Sequence, residues 1–233
     1  PAENQWKKDV KSTVHYVVSD GKATAPADND QNAQWTRTLK LDKVTGTVLN
    51  PNESWVANKA NYDAVQTPGL SGYYADKARV EAKTVTEENL KETVTYNPLG
   101  KLVPKPETPN DPNFPSTPEV PYPNDPDDPT KPGKPVVPDV PGYKPYLPDP
   151  NDPTKPGEPV TPGKPITPEN PGTDTPIIYR KTDQKAIIKY VDQNTGKTLE
   201  NDQVSGKSGE AIDYSTADKI KYYEDRGYVL VSN

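Results

Sequence analysis

Residues 125–141 read DPDDPTKPGKPVVPDVP, and their proline spacing governs how the rest of the chain is read. Prolines recur at every third residue from Pro123 to Pro141, and the same step runs from Pro106 to Pro121 and from Pro150 to Pro171. Polyproline II has three residues per turn, so this spacing stacks prolines along one edge of an extended helix that has no internal hydrogen bonds. Twenty-five of the thirty prolines fall between Pro104 and Pro176. The expectation is a semi-rigid spacer without a packed core, holding two folded pieces apart. Inside it, Asp125–Val136 recurs as Asp149–Val160 (DPNDPTKPGEPV), identical at ten of twelve positions. The copies are 24 residues apart, a multiple of three, so both present the same face of such a helix.

Outward from the prolines, composition bounds the flanks. Residues 1–103 carry 13 basic and 13 acidic side chains, residues 177–233 carry 9 and 9, and the segment between carries 6 and 12. The whole net charge of −6 therefore sits in the proline segment. Neither flank has the basic excess that phosphate neutralisation requires, which argues against nucleic acid as a partner. The absence of cysteine excludes disulfides and thiolate metal sites. No window is apolar for long enough to insert in a membrane. The chain opens on Pro1 without a signal peptide, which reads as a fragment of a longer protein.

The left flank alternates as strands do. Residues 10–18 (VKSTVHYVV) put Val14, Tyr16 and Val18 on one face, and residues 34–41 (QWTRTLKL) put Trp35, Leu39 and Leu41 on another. Thr45-Gly46 reads as a hairpin turn into Thr47–Leu49. Tyr62–Val65 and Gly72–Val80 are further short strands, and Glu92–Asn97 closes the set before Pro98. On the right, Ala186–Val191 and Lys197–Val204 form a hairpin across the turn Asp192–Gly196. Ser215 and Asp218 are spaced as a capping box for a helix with Ile220 and Tyr223 on its stripe, and Gly227 stops it. Tyr228–Val231 is expected as a third strand. The right piece thus reads β-β-α-β and lacks a further strand to cover its helix.

Lys189-Tyr190-Val191-Asp192, Thr195-Gly196-Lys197-Thr198-Leu199, Ser205-Gly206-Lys207-Ser208-Gly209-Glu210, Tyr214 and Gly227-Tyr228-Val229-Leu230-Val231 together resemble the mucin-binding (MucBP) repeat of lactobacillus mucus-binding proteins. The left flank resembles the second-type unit of the same repeats through Thr13-Val14-His15-Tyr16, Trp35-Thr36-Arg37-Thr38, Asp42-Lys43-Val44-Thr45-Gly46, Gly72-Tyr73-Tyr74-Ala75-Asp76-Lys77 and Glu92-Thr93-Val94-Thr95-Tyr96. The resemblance implies a β-rich α+β chain of β-grasp (ubiquitin-like) modules: a second-type domain at 8–103, a proline-rich linker at 104–184 and the first part of a MucBP domain at 185–233. It implies a non-catalytic adhesin on the cell wall of a Gram-positive bacterium. Its partners are then mucin glycoproteins and their glycans, with immunoglobulins as partners of some members. The rival readings are a purely structural stalk and the non-catalytic tail of a wall-bound enzyme.

Catalytic residues are few. His15 is the single histidine and lies in a strand, so neither a triad nor a zinc site is available. The SGKSG segment at 205–209 departs from the phosphate-binding pattern and reads as a tight turn. Asp28-Asn29-Asp30 and the Asn-Asp-Pro runs read as solvated loops, without the glycine a calcium loop needs. No cofactor is implied. The closing strand also offers Asn97 as partner for a lysine near Lys11 in an amide crosslink that would release ammonia. Tyrosine dominates the aromatics, with fourteen against one phenylalanine. It combines a flat apolar face with a hydrogen-bonding hydroxyl, which suits sugars. Adjacent tyrosines cannot both point inward on a strand, so Tyr73, Tyr74, Tyr222 and Tyr223 are the candidate ligand contacts, while Trp35 and Trp55 are expected in the core.

Overall fold

The computed structural model describes all residues, 1–233. It is mostly β, with one short α-helix. The chain divides into two compact units, each discontinuous in sequence. The first comprises 1–103, 119–136 and 165–175, and the second comprises 104–118, 137–164 and 176–233.

The first unit is built on β1 (Lys7–Val18), β2 (Asn29–Thr36), β3 (Val56–Ala57), β4 (Asn61–Tyr62), β5 (Val65–Gln66), β6 (Tyr73–Ala75), β7 (Arg79–Val80), β8 (Lys83–Thr84) and β9 (Leu90–Pro98). Its main sheet has the order β3-β2-β1-β9-β6. β1 pairs with β2 as an antiparallel hairpin and with β9 in parallel, placing Tyr16 beside Val94 and Val18 beside Tyr96. The two central strands alternate, except that Thr13 is buried between Ser12 and Val14. Val10, Val14, Tyr16, Val94 and Tyr96 are all buried. One cluster gathers Val14, Tyr16, Ala75, Val80, Val94 and Tyr96, and a second gathers Val10, Ala33, Tyr62 and Val85. Each valine among them contributes about 1.5–3 kcal/mol when fully buried. Tyr96 is wholly buried and donates its hydroxyl to Pro68 O at 2.5 Å, and burial pushes its pKa up to about 12.

Three expectations shift in this unit. The strand expected at 34–41 lies at 29–36, and the residues after it form a loop that closes at the Leu41–Val48 bridge. Trp35 is only half-buried, with its indole N–H donated to Thr86 O at 2.7 Å. Trp55, also half-buried, is flanked by Lys8 at 4.3 Å and Arg37 at 4.7 Å from its ring centre. The Lys11–Asn97 crosslink is ruled out by register. Lys11 lies beside Asn89, whose side-chain oxygen accepts its N–H at 3.0 Å, while Asn97 pairs with Tyr74.

The largest difference concerns the prolines. The expectation of no packed core over residues 104–176 fails, because Tyr122, Val137, Val140 and Tyr143 are buried there. In the first unit, β10 (Lys101–Pro106) begins by pairing with β11 (Val120–Pro121), which buries Leu102. Tyr122 then donates to Thr173 O at 2.7 Å. A proline has no N–H but keeps a carbonyl acceptor, so a proline-rich strip is satisfied by donors brought to it. Here Ala75 N–H reaches Pro129 O at 2.8 Å, Gly133 N–H reaches Pro123 O at 2.6 Å and Gly100 N–H reaches Pro171 O at 2.8 Å. Only glycine fits at 100, since a Cβ there would sit 2.7 Å from Thr173 O.

The second unit contains β12 (Tyr143–Asp149), β13 (Asp152–Pro159), β14 (Thr175–Lys181, from Pro176 onward), β15 (Asp183–Val191), β16 (Thr198–Lys207) and α1 (Ala217–Glu224). β12 pairs antiparallel with both β13 and β14. Ile177, Ile178 and Tyr179 are fully buried together with Val137 and Val140. Tyr179 donates to Pro138 O at 2.6 Å, and Phe114 stands edge-on to Tyr143 at 5.1 Å. The hairpin β15–β16 forms as expected across Asp192–Gly196, where Gly196 at φ 71° donates to Asp192 O at 2.8 Å. The capping box does not form. Thr216 caps α1 without a side-chain bond, and Ser215 Oγ accepts the Ala217 N–H at 3.2 Å instead. Tyr228–Val231 is not a strand, and Val229 and Val231 are exposed.

Candidate functional site

The four tyrosines singled out from sequence have different fates. β6 turns Tyr73 toward the first cluster of the first unit, and its hydroxyl lies 2.9 and 3.1 Å from the two carboxylate oxygens of Asp20. Burial, with that carboxylate, raises the Tyr73 pKa. Tyr74 points to the opposite face of the strand and lies over Gly172, so closely that a Cβ at 172 would come within 2.7 Å of its hydroxyl. Both rings are half-buried and engaged in packing.

On α1 of the second unit, Tyr223 is the inward member of its pair. Its ring lies 5.9 Å from Tyr190 and 5.6 Å from Tyr228, and its hydroxyl donates to Glu200 Oε2 at 3.0 Å. Lys219 pairs with the other Glu200 oxygen. Beneath, the hydroxyls of Tyr190 and Tyr214 are 2.6 Å apart, and Tyr214 donates to Asp202 at 2.7 Å. Those two hydrogen bonds raise the Tyr214 pKa. The hairpin thus offers a polar tyrosine platform on which the helix rests.

Tyr222 is 46% exposed. It stands edge-on to Tyr223 at 5.1 Å, and the Arg226 guanidinium lies 3.6 Å from its ring centre. Arg226 spends one donor on Tyr222 O at 3.1 Å. Tyr222 on α1 and Arg226 in the turn after it present an aromatic ring with a planar cation stacked on it, an arrangement suited to a ligand carrying both an apolar face and an anionic or hydroxyl group. Arg226 was missed in the sequence, although its i,i+4 spacing from Tyr222 on an expected helix was the available signal.

Two concave places complete the inventory. In the first unit a cleft of about 740 Å³ is lined by Asn124, Asp127, Lys131, Lys134 and Glu169 among prolines. In the second a smaller crevice of about 240 Å³ is lined by Asp111, Tyr143, Lys181 and Glu210. The residues of that crevice lie far apart in sequence, and no local pattern announces them. His15 sits against Asp28, with Nδ1 2.7 Å from a carboxylate oxygen. No group of three or more His, Cys, Asp or Glu side chains is placed to hold a metal ion, and no helix is long and apolar enough to cross a membrane.

Strand-rich units with no metal-binding cluster, and with an exposed tyrosine stacked with arginine on one surface, are what the fold presents. Residues 1–100 match the model of the Muc B2-like domain, and residues 184–233 match that of a mucin binding domain. These two segments belong to the mucin-binding repeat (MucBP/Mub) family, a non-catalytic adhesion module found in surface adhesins of Gram-positive bacteria. Among solved structures, the chain is similar to the MucBP domain of an adhesion protein from Pediococcus pentosaceus, with 28% identity over 39% of this chain and 97% of that one and a TM-score of 0.33. It is also similar to the mucin-binding domain of a Streptococcus pneumoniae protein, with 26% identity over 40% and 92% and a TM-score of 0.33. A third is the type 2 repeat of the mucus binding protein MUB from Lactobacillus reuteri, with 34% identity over 40% and a TM-score of 0.28; the chain spans half of that repeat, 50%. No curated protein sequence matches the chain.

Proposed function

We propose that this chain is part of a wall-anchored adhesin that holds mucin glycans weakly through residues 184–233, with Tyr222 and Arg226 as the principal contacts. The observation that carries the reading is the exposed Tyr222 ring with Arg226 stacked on it, inside the segment that matches a mucin binding domain. A sugar ring presents C–H groups to the tyrosine, and carboxylate or sulfate groups of acidic glycans meet the guanidinium. Tyr223 supports Tyr222 from below. Affinity per module is low, and strength comes from several modules on one chain.

We read 8–103 and 185–233 as the recognition modules and 104–184 as the segment joining them. β-grasp ancestry for the left sheet is supported by its central parallel pair, β1 and β9, flanked by antiparallel partners. Tyr73 and Tyr74 are weaker candidates than Tyr222, because both rings are engaged in packing. That engagement favours a second reading for the left module, in which it lifts its neighbour away from the wall without touching ligand.

The test is binding of the full chain to immobilised mucin. Tyr222→Ala and Arg226→Ala are each expected to weaken it about tenfold, or ~1.4 kcal/mol. Tyr74→Phe is expected to leave it unchanged. Undiminished binding by both alanine variants rejects this surface. Immunoglobulin, a partner we propose on family likeness alone, serves as a second ligand in the same assay.

A further inference from the structure

One side-chain constellation in the second unit is not used by ligand binding. Asp111 lies in the turn after Asn110, whose φ is 58°. Its side chain is 2% exposed, and that of Lys181, at the end of β14, is 16% exposed. Lys181 Nζ is 3.5 Å from Asp111 Oδ1 and donates to Glu210 Oε1 at 3.0 Å. Both Asp111 oxygens are fixed: Oδ1 accepts the Asn113 N–H at 3.0 Å, and Oδ2 accepts the Tyr143 hydroxyl at 2.7 Å. Phe114 packs against the rings of Tyr143 and Tyr179, giving the crevice an aromatic wall. An amine and a carboxyl carbon are thus held together in the wall of the crevice, with the half-exposed carboxylate of Glu210 touching the amine. Such fixed proximity replaces a bimolecular encounter by a high effective concentration. Burying a separate cation and anion is costly, and their condensation removes both charges.

We propose that Lys181 and Asp111 join in an amide crosslink, with Glu210 relaying the protons. The ammonium of Lys181 first passes a proton to Glu210. The freed Nζ lone pair attacks Asp111 Cγ, while the Tyr143 hydroxyl stabilises the charge on Oδ2. Glu210 delivers its proton to the departing Oδ1, and a second proton follows from Nζ as the intermediate collapses. One N–C bond forms, one C–O bond breaks and one water leaves. Glu210 ends as it began, and no oxidant or reductant is needed. The bond ties the proline-rich segment to β14 across 70 residues in a chain that has no cysteine.

Intact mass of the denatured full-length chain tests this. The wild type is expected one water lighter than its sequence, and its tryptic map is expected to contain a branched peptide joining the Asp111 and Lys181 segments. Lys181→Arg and Asp111→Ala are expected at full mass. Glu210→Gln, with its circular dichroism unchanged, is expected to remain largely uncrosslinked. Full mass in the wild type overturns the proposal. So does a water loss that survives Lys181→Arg, because it then arises elsewhere. Undiminished crosslinking in Glu210→Gln overturns the relay.

Discussion

Glu92 shows how a single residue ties the first sheet together. It lies on β9 with one carboxylate oxygen 3.1 Å from Lys77 Nζ and the other against Lys83, its side chain 27% exposed. The hydrogen bond from Lys83, then that from Lys77, holds the Glu92 carboxyl below its ordinary value. A depressed carboxylate adds stability above its unfolded pKa of about 4.3, and that stability is lost as pH falls through the lower, folded value. Partial exposure screens the pair, so its worth is about 1 kcal/mol. Glu92→Gln is therefore expected to lower the urea midpoint of the full chain at pH 7, with the deficit shrinking as pH falls through the depressed folded value. A deficit that persists unchanged at acidic pH would show that packing, not charge, was lost.

At the scale of elements, alternation was the readable signal. β1 and β9 follow from it, because each buries alternate residues on one face, while in the β15–β16 hairpin the alternation separates half-buried from exposed residues and the turn carries Gly196 at φ 71°. The short pairs β4–β8 and β5–β7 were only partly legible, since two-residue strands such as Asn61–Tyr62 carry no period. The repeat is the instructive failure. Asp128 caps Thr130 in one copy at 2.9 Å, and Asp152 caps Thr154 in the other at 3.1 Å, so local chemistry is shared. Yet the second copy contains the whole of β13 and pairs with β12, whereas the first lies in turns and isolated bridges. Nearly identical local sequence meets different neighbours, and tertiary context decides. Context also decides for the hairpin of the second unit, which rests on Tyr214. Its raised pKa means the neutral hydroxyl is favoured in the fold, so this support is present below the unfolded pKa near 10 and is lost as pH rises through the folded value. Tyr214→Phe removes the bonds to Tyr190 and Asp202. It is expected to speed amide exchange at Ile188 and Tyr190 at neutral pH while leaving β1 and β9 unchanged. Equal exchange in the variant would mean that packing alone holds the hairpin.

At the scale of the whole chain, the question is what a proline-rich third does for its neighbours. Proline period alone predicted a rod, because it weighs the residues that cannot donate and overlooks the few that can be buried. Leu102, Tyr122, Val137, Val140 and Tyr143 are scattered singly among prolines, so no window shows a hydrophobic run, yet each is buried. The candidate site was legible in part, since Tyr222 could be named from the sequence, but the stacking of Arg226 on it and the meeting of Asp111 with Lys181 depend on the fold. Asn124 carries the argument further. From within the proline segment its amide donates to Leu70 O at 2.8 Å and Tyr73 O at 3.0 Å, while its oxygen accepts the Gly72 N–H at 2.8 Å. Three bonds thus fasten residues 119–136 to the turn before β6 within the first unit. Removing one partner leaves polar backbone groups unsatisfied at a cost of about 1–3 kcal/mol. Asn124→Ala in the full chain is expected to lower the unfolding free energy by that amount, seen as a lower denaturation midpoint, and to raise amide exchange at Gly72. A freely solvated proline rod makes no such bonds, so an unchanged midpoint together with unchanged Gly72 exchange would return the segment to the role of spacer.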